Sequence, residues 1–160
     1  MSSNKMRSTD RVAQAAESLG LSIEIRTMPD STRTAAEAAS ACACTIGQIV
    51  KSLVFEYGPA RDLVLLLIAG DRSADLDLVQ RLLGAAPTRA DPKRVRASTG
   101  FAIGGVAPIG HLQPLRVFMD PALLEHDLVW AAAGAPNAVF SIAPRRLRDA
   151  TAASLLAASD

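Results

Sequence analysis

Apolar positions along the chain recur with two distinct periods. Val12, Ala15, Ala16 and Leu19 fall at i, i+3, i+4 and i+7, and Gly20 follows, so the pattern predicts a helix that ends there. Leu21-Ser22-Ile23-Glu24-Ile25-Arg26 then alternates strictly, as a half-buried strand does. Thr34 with Glu37 three residues on is a capping box and predicts a second, alanine-rich helix. Val50 to Tyr57 and Asp62 to Ala69 read as two strands joined through Gly58-Pro59-Ala60-Arg61, a hairpin. The second strand is apolar at every position from Leu63 to Ala69, which predicts a central strand covered on both faces.

Further along, Leu76, Val79 and Leu83, with Leu78 and Leu82, predict a helix capped by Ser73 or Asp75. Asp91-Pro92 sets an N-cap before a proline at the first helical position and opens a short basic helix; Asp120-Pro121 repeats the device. Leu115 to Met119, Leu128 to Ala132 and Ala138 to Ile142 are strand candidates. Leu147, Thr151 and Leu155 lie on one stripe of a closing helix. No repeat, low-complexity tract or linker divides the chain, and strands and helices lack a regular βαβ alternation. The expected fold is therefore α+β (α/β in a looser scheme), one domain over residues 1–160 with helices packed on a mixed sheet.

Composition narrows the function classes. The 160 residues suffice for one core without disulfides or metal, and 49% hydrophobic with 21% charged residues marks a folded chain. Seventeen basic against 16 acidic residues leave a net charge of +1, which argues against coating nucleic acid by bulk charge. A local basic patch reading one defined nucleic-acid end stays compatible with that balance. A generic DNA-binding protein lacks support, since aromatics are few and no helix-turn-helix pattern stands out. The longest apolar stretch, Leu63 to Ala69, is far short of the roughly 20 residues of a spanning helix. Met1 to Asp10 is polar and lacks the apolar core of an export signal. Cys42 and Cys44 read as reduced, half-buried small hydrophobes of a cytoplasmic protein.

Two features carry candidate chemistry. Lys51 sits inside the strand Val50 to Tyr57, where alternation places it with Leu53, Phe55 and Tyr57. Its ammonium either snorkels out at the strand's end or is held in a pocket, there to bind a carbonyl or phosphate oxygen or to shift its own pKa. Downstream, Ser98-Thr99-Gly100-Phe101-Ala102-Ile103-Gly104-Gly105-Val106-Ala107-Pro108-Ile109-Gly110 packs four glycines and a proline into 13 residues. Consecutive exposed N–H groups in such a run can grip an anion or polarise an ester carbonyl; a purely structural loop is the plainer alternative. It is neither a Walker loop nor a dinucleotide-binding turn.

Together, Val-Lys-Ser-Leu-Val, Ser-Thr-Gly-Phe and Ile-Gly-Gly-Val-Ala-Pro-Ile-Gly resemble the YbaK/ProX family of tRNA-editing domains, from about Thr34 to Leu147. The resemblance implies a trans-editing deacylase that hydrolyses the ester of a mischarged tRNA, notably proline tRNA carrying a small wrong amino acid. It needs no cofactor and no metal. Its partners are the 3′ aminoacyl end of the tRNA and, on the family pattern, prolyl-tRNA synthetase. Lys51 resembles the family's functional lysine at the tRNA 3′ end. Gly104 to Pro108, with Gly105, Val106 and Ala107 between, resembles the G-x-x-x-P element whose amides place the substrate carbonyl. Ser98, Thr99, Gly100 and Phe101 accompany it at the substrate.

Gly134-Ala135-Pro136-Asn137-Ala138-Val139-Phe140 is similar to a third pocket-lining region of the family, with Gly134 and Asn137 as substrate contacts; a plain turn residue is the alternative for Asn137. Phe140 stands where the cysteine-editing type carries an aspartate, Ala135 where the alanine-editing type has a histidine, and Ala107 where a serine is common. The resemblance thus implies the reaction class without naming the amino acid. The alternative function is a non-catalytic module binding an aminoacyl end or a synthetase. Lys93 and Arg94, in a cluster with Arg89 and Arg96, are expected on the tRNA backbone, whereas Arg145, Arg146 and Arg148 read as a solvated helical face. His111 reads as an exposed loop histidine or a neighbour of the pocket. His126 reads as a structural group at a helix end.

Overall fold

A computed structural model describes residues 7–32 and 34–157. In chain order the regular elements are α1 (Ser8–Ser18), β1 (Arg26–Thr27), α2 (Ala35–Cys42), β2 (Val50–Tyr57), β3 (Asp62–Ala69), α3 (Leu76–Leu83) and β4 (Thr88–Arg89). Then follow α4 (Pro92–Thr99), β5 (Arg116–Met119), β6 (Val129–Ala132), β7 (Ala138–Ile142), α5 (Pro144–Thr151) and β8 (Ser154–Leu155). Short 3-10 turns cover Ile46–Gln48 and Pro121–Glu125.

The capping signals act as written. Thr34 Oγ1 accepts from the Glu37 N–H (3.0 Å), and Glu37 Oε1 accepts from the Thr34 N–H (3.3 Å). Asp75, rather than Ser73, caps α3 through the Leu78 N–H (3.1 Å), and Asp91 caps α4 through the Lys93 N–H (3.1 Å).

The expected mixed sheet is present, but the strands divide into two sheets. The larger runs β4-β2-β3-β5-β8 and the smaller β1-β7-β6. The hairpin pairs every residue from Val50↔Ala69 to Tyr57↔Asp62, while β3 to β5 and β5 to β8 are parallel. β3 is therefore central, and alternation splits its side chains between two cores. Leu65, Leu67 and Ala69 meet Val12 and Ala16 of α1, Phe140 and Leu147 in the larger core. Val64, Leu66 and Ile68 meet Phe55, Phe118 and Val79 of α3 on the other face. Truncating a fully buried residue such as Leu66 to Ala costs about 2–5 kcal/mol.

Two predicted elements end differently. Leu21, Ile23 and Ile25 do pack on the core, but only Arg26 and Thr27 find a ladder, opposite Val139 and Ala138. The closing helix stops at Thr151 because Ala152 turns left-handed (φ 52), and Leu155 instead pairs beside Met119 in β8. No helix among the described residues is long and apolar enough to cross a membrane.

Candidate active site

The two sheets meet where Ile49 bridges Trp130 of β6, and a cavity lined by residues of both β2 and β6 lies there. Its volume is about 830 Å³. One wall is β2 from Val50 to Phe55, and another is Trp130, Ala131 and Ala132 with Val139. Ala35 and Ala38 of α2 close one side, Arg89 to Pro92 another, and Ile103, Gly104 and Val106 of the glycine motif complete it. The lining is mostly small and apolar, with a few polar groups at set places, as a ligand site requires.

β2 contributes its edge as well as its faces. The Gly70 N–H donates to the Ile49 carbonyl (2.8 Å), which fixes which residues of β2 aim their peptide groups at β3. Alternation then turns the N–H and C=O of Ser52 and Val54 toward the cavity, since β4 pairs only at Phe55 and Glu56. The Ser52 hydroxyl is buried without a hydrogen-bond partner among the described residues. A group left so costs about 1–3 kcal/mol.

Lys51 lines this cavity together with Gly104 and Val106. Its ammonium donates to the Arg72 carbonyl. Arg72 is held in turn, Nε lying 3.0 Å from Oδ2 of the buried Asp120, which also accepts from the Ala69 N–H (3.2 Å). Lys51 pairs with no carboxylate among the described residues, and its hydrogen-bond partner is a neutral carbonyl.

In the glycine motif a tight turn carries Ile103 and Gly104 at its corner, closed by the Gly105 N–H on the Ala102 carbonyl (3.0 Å). Gly104 has φ 92, a region that disfavours any side chain. The Gly105 amide is thereby used. Those of Gly104 and Val106 have no acceptor among the described residues. A loop with free donors, on a cavity that a lysine also lines, can polarise a carbonyl or hold an anion.

The remaining predicted residues stand behind or beside this wall. The Thr99 side chain is 0% exposed, donating to the Val95 carbonyl (2.7 Å) and accepting from the Phe101 N–H (3.0 Å). Phe101 is 1% exposed. Ser98 lends its carbonyl to the Gln113 N–H (2.9 Å), and Gly100 ends α4. Ala107 and Pro108 are buried beneath the loop. Gly134 packs on Ser8 and Phe101. Asn137 Nδ2 donates to the Met28 carbonyl (3.0 Å), pinning one turn to another. None of these residues lines the cavity.

Lys93 is exposed on α4. Arg94 instead turns to Glu56, Nη1 to Oε2 at 2.9 Å. His111 is largely buried, its Nε2 2.7 Å from the Ala107 carbonyl, and burial pushes its pKa below the usual imidazole value. His126 closes the 3-10 turn Pro121–Glu125. Cys42 and Cys44 are free thiols packed near Trp130, and burial, aided by the Cys44 charge, pushes Cys42 up to about 11. Such a thiol is a poor nucleophile at neutral pH. Among the described residues no group of three or more His, Cys, Asp or Glu could hold a metal.

Sequence reasoning did not single out Ser52 or Trp130. Alternation puts Ser52 on the face opposite Lys51, and only the exposed strand edge lets both reach one cavity. Trp130 carried no motif, although a lone tryptophan is a signal of its own.

The sequence profile of the aminoacyl-tRNA editing domain matches residues 29–150. The uncharacterized protein YwhH of Bacillus subtilis is 29% identical over 119 residues, 74% of this chain and 75% of its own. A crystal structure of a candidate trans-editing enzyme for prolyl tRNA synthetase is 44% identical, with TM-score 0.87 over 92% of this chain and 94% of its own. The structure of hypothetical protein APE2540 is 29% identical, with TM-score 0.83 over 91% and 96%. With its mixed fold, its lysine and its glycine turn on one cavity, the chain belongs to the family of aminoacyl-tRNA editing domains.

Proposed function

We propose that the chain is a trans-editing deacylase, hydrolysing the ester that joins a small wrong amino acid to proline tRNA. The observation that carries this reading is a single cavity lined by Lys51 and by Gly104 and Val106, whose amides have no acceptor among the described residues. The link to proline tRNA leans on the likeness to the candidate trans-editing enzyme for prolyl tRNA synthetase. Prolyl-tRNA synthetase is the corresponding protein partner, and the cytoplasm the setting.

The chemistry asks for little. An aminoacyl ester is already activated, so a positioned water and a stabilised oxyanion suffice. Water adds to the carbonyl carbon, the negative charge moves to the carbonyl oxygen, and the bond to the ribose oxygen breaks as that oxygen takes a proton. Amides aimed at the developing charge contribute about 3–4 kcal/mol each. Lys51, freed from the Arg72 carbonyl, holds the 3′ end by a phosphate or ribose oxygen. The water is held by main-chain carbonyls or by the free ribose hydroxyl of the substrate. No cofactor enters.

A panel of mischarged tRNAs incubated with wild type and with Lys51→Ala tests the reading. Wild type is expected to release the free amino acid from proline tRNA, and Lys51→Ala to be slower by roughly 10–10²-fold, the scale of losing one charged hydrogen bond to the substrate. Release from none of the substrates leaves the non-catalytic binding module instead. A substrate lacking the free terminal hydroxyl is expected to turn over very slowly; unchanged turnover removes the ribose from the mechanism.

A further inference from the structure

The glycine motif does two jobs, and only one faces the cavity. Helix α1 lies outside the span that matches the family, residues 29–150, yet it touches both loops behind the site. Arg11 Nη1 donates to the Gly100 carbonyl (3.2 Å), and its guanidinium sits 5.2 Å from the centre of the Phe101 ring. Any Cβ at Gly100 would collide with that guanidinium. One at Gly134 would come within 3.0 Å of the Ser8 main chain and 2.9 Å of the Phe101 ring. Gly110 leaves the same kind of room beside the Arg11 carbonyl. All three glycines have positive φ, and their missing side chains leave room for the helix against the loops.

The contact continues forward. Phe101 meets His111 edge-on at 6.0 Å, and His111 ties back to the Ala107 carbonyl, one residue from the free Val106 amide. A carbonyl only accepts, so His111 must carry its proton on Nε2. Phe101 and His111 thus bracket residues 102–110, of which Ile103, Gly104 and Val106 line the cavity.

We propose that Arg11 is a positioning residue, which locks the loop 100–111 from behind and so sets the aim of the Gly104 and Val106 amides. The kinetic half of this proposal rests on the deacylase reading; the structural half does not. Misplacing a catalytic group by about 1 Å can cost on the order of 10²-fold. A residue that never meets substrate should spend that loss in kcat.

The experiment compares wild type, Arg11→Met and Arg11→Lys in the full chain by amide hydrogen exchange and by deacylation of mischarged proline tRNA. Arg11→Met, which keeps the apolar stem, is expected to speed exchange across residues 100–111, lower kcat by about tenfold or more, and leave KM within about twofold. Arg11→Lys keeps the charge and one donor but not the flat stack, so partial recovery is expected. Unchanged exchange in 100–111 overturns the proposal outright. Faster exchange with unaltered kcat, or a change confined to KM, overturns the positioning role. Should Arg11→Met fail to fold, Arg11→Lys is read against the same criteria. If wild type releases nothing from any tRNA, the deacylase reading falls while the exchange data still decide the brace.

Discussion

Arg94 Nη1 lies 2.9 Å from Oε2 of Glu56, while Arg61 holds the other oxygen of the same carboxylate at the same distance. Glu56 is only 7% exposed, and both guanidinium groups, Arg61 first, keep its carboxyl below the usual carboxylate range. A depressed carboxylate contributes stability above its unfolded pKa, and that contribution fades as pH falls through the folded value. Arg94→Met is therefore expected to lower the melting temperature at neutral pH and by less in acid. Melting curves across pH check this, and an equal loss at every pH counts against it.

Exposed Lys93 is the member of that cluster expected on the tRNA backbone. Its replacement by Ala should weaken binding of every tRNA alike and lower the salt slope by about 1. Titrations at several salt concentrations supply the test. With Arg94 committed to Glu56, the double variant should lower the slope by no more than Lys93→Ala does.

Gly104 turns at φ 92, so Gly104→Ala should strain the turn by about 1–2 kcal/mol. The amide then swings away from its present aim. Melting should change modestly while kcat falls much further; initial rates beside a melting curve separate the two effects. Equal damage to both would make the turn merely structural.

His111 carries a pH signature. Burial lowers its folded pKa, so on acidification the unfolded chain takes the proton first and gains relative stability. The penalty is absent above about pH 6.5 and grows as pH drops below it. His111→Gln, able to donate to the Ala107 carbonyl without titrating, should flatten this limb. Denaturant midpoints between neutral and mildly acidic pH give the comparison, and an unaltered slope would place the titration elsewhere.

Much of the fold was legible because local rules and burial agreed. The hairpin, the capped helices α2, α3 and α4, and the doubly covered strand β3 follow from alternation, capping residues and a continuous apolar run. Leu21 to Ile25 kept its alternation but gained no ladder, because pairing depends on a neighbour that pattern alone does not reveal. Leu155 shared a helical stripe with Leu147, yet a left-handed Ala152 sent it to a sheet edge.

At the site, Lys51 and Gly104 were readable from their motifs, and they share one cavity. Thr99 and Phe101 sit in the same motif but are buried, since sequence proximity does not say which way a side chain turns. Arg11 was invisible, because nothing in a one-dimensional pattern links a helix to a loop some ninety residues later.

The bare edge of β2 has a wider consequence. Where the groups that greet a guest are peptide units, no single substitution short of proline deletes them. Side chains around them, such as Ala35, Ala38 and Ala132, can then change size and reshape the room while the same handholds persist. Under the proposed deacylase reading, selectivity can then change with the lining while the peptide handholds stay in place.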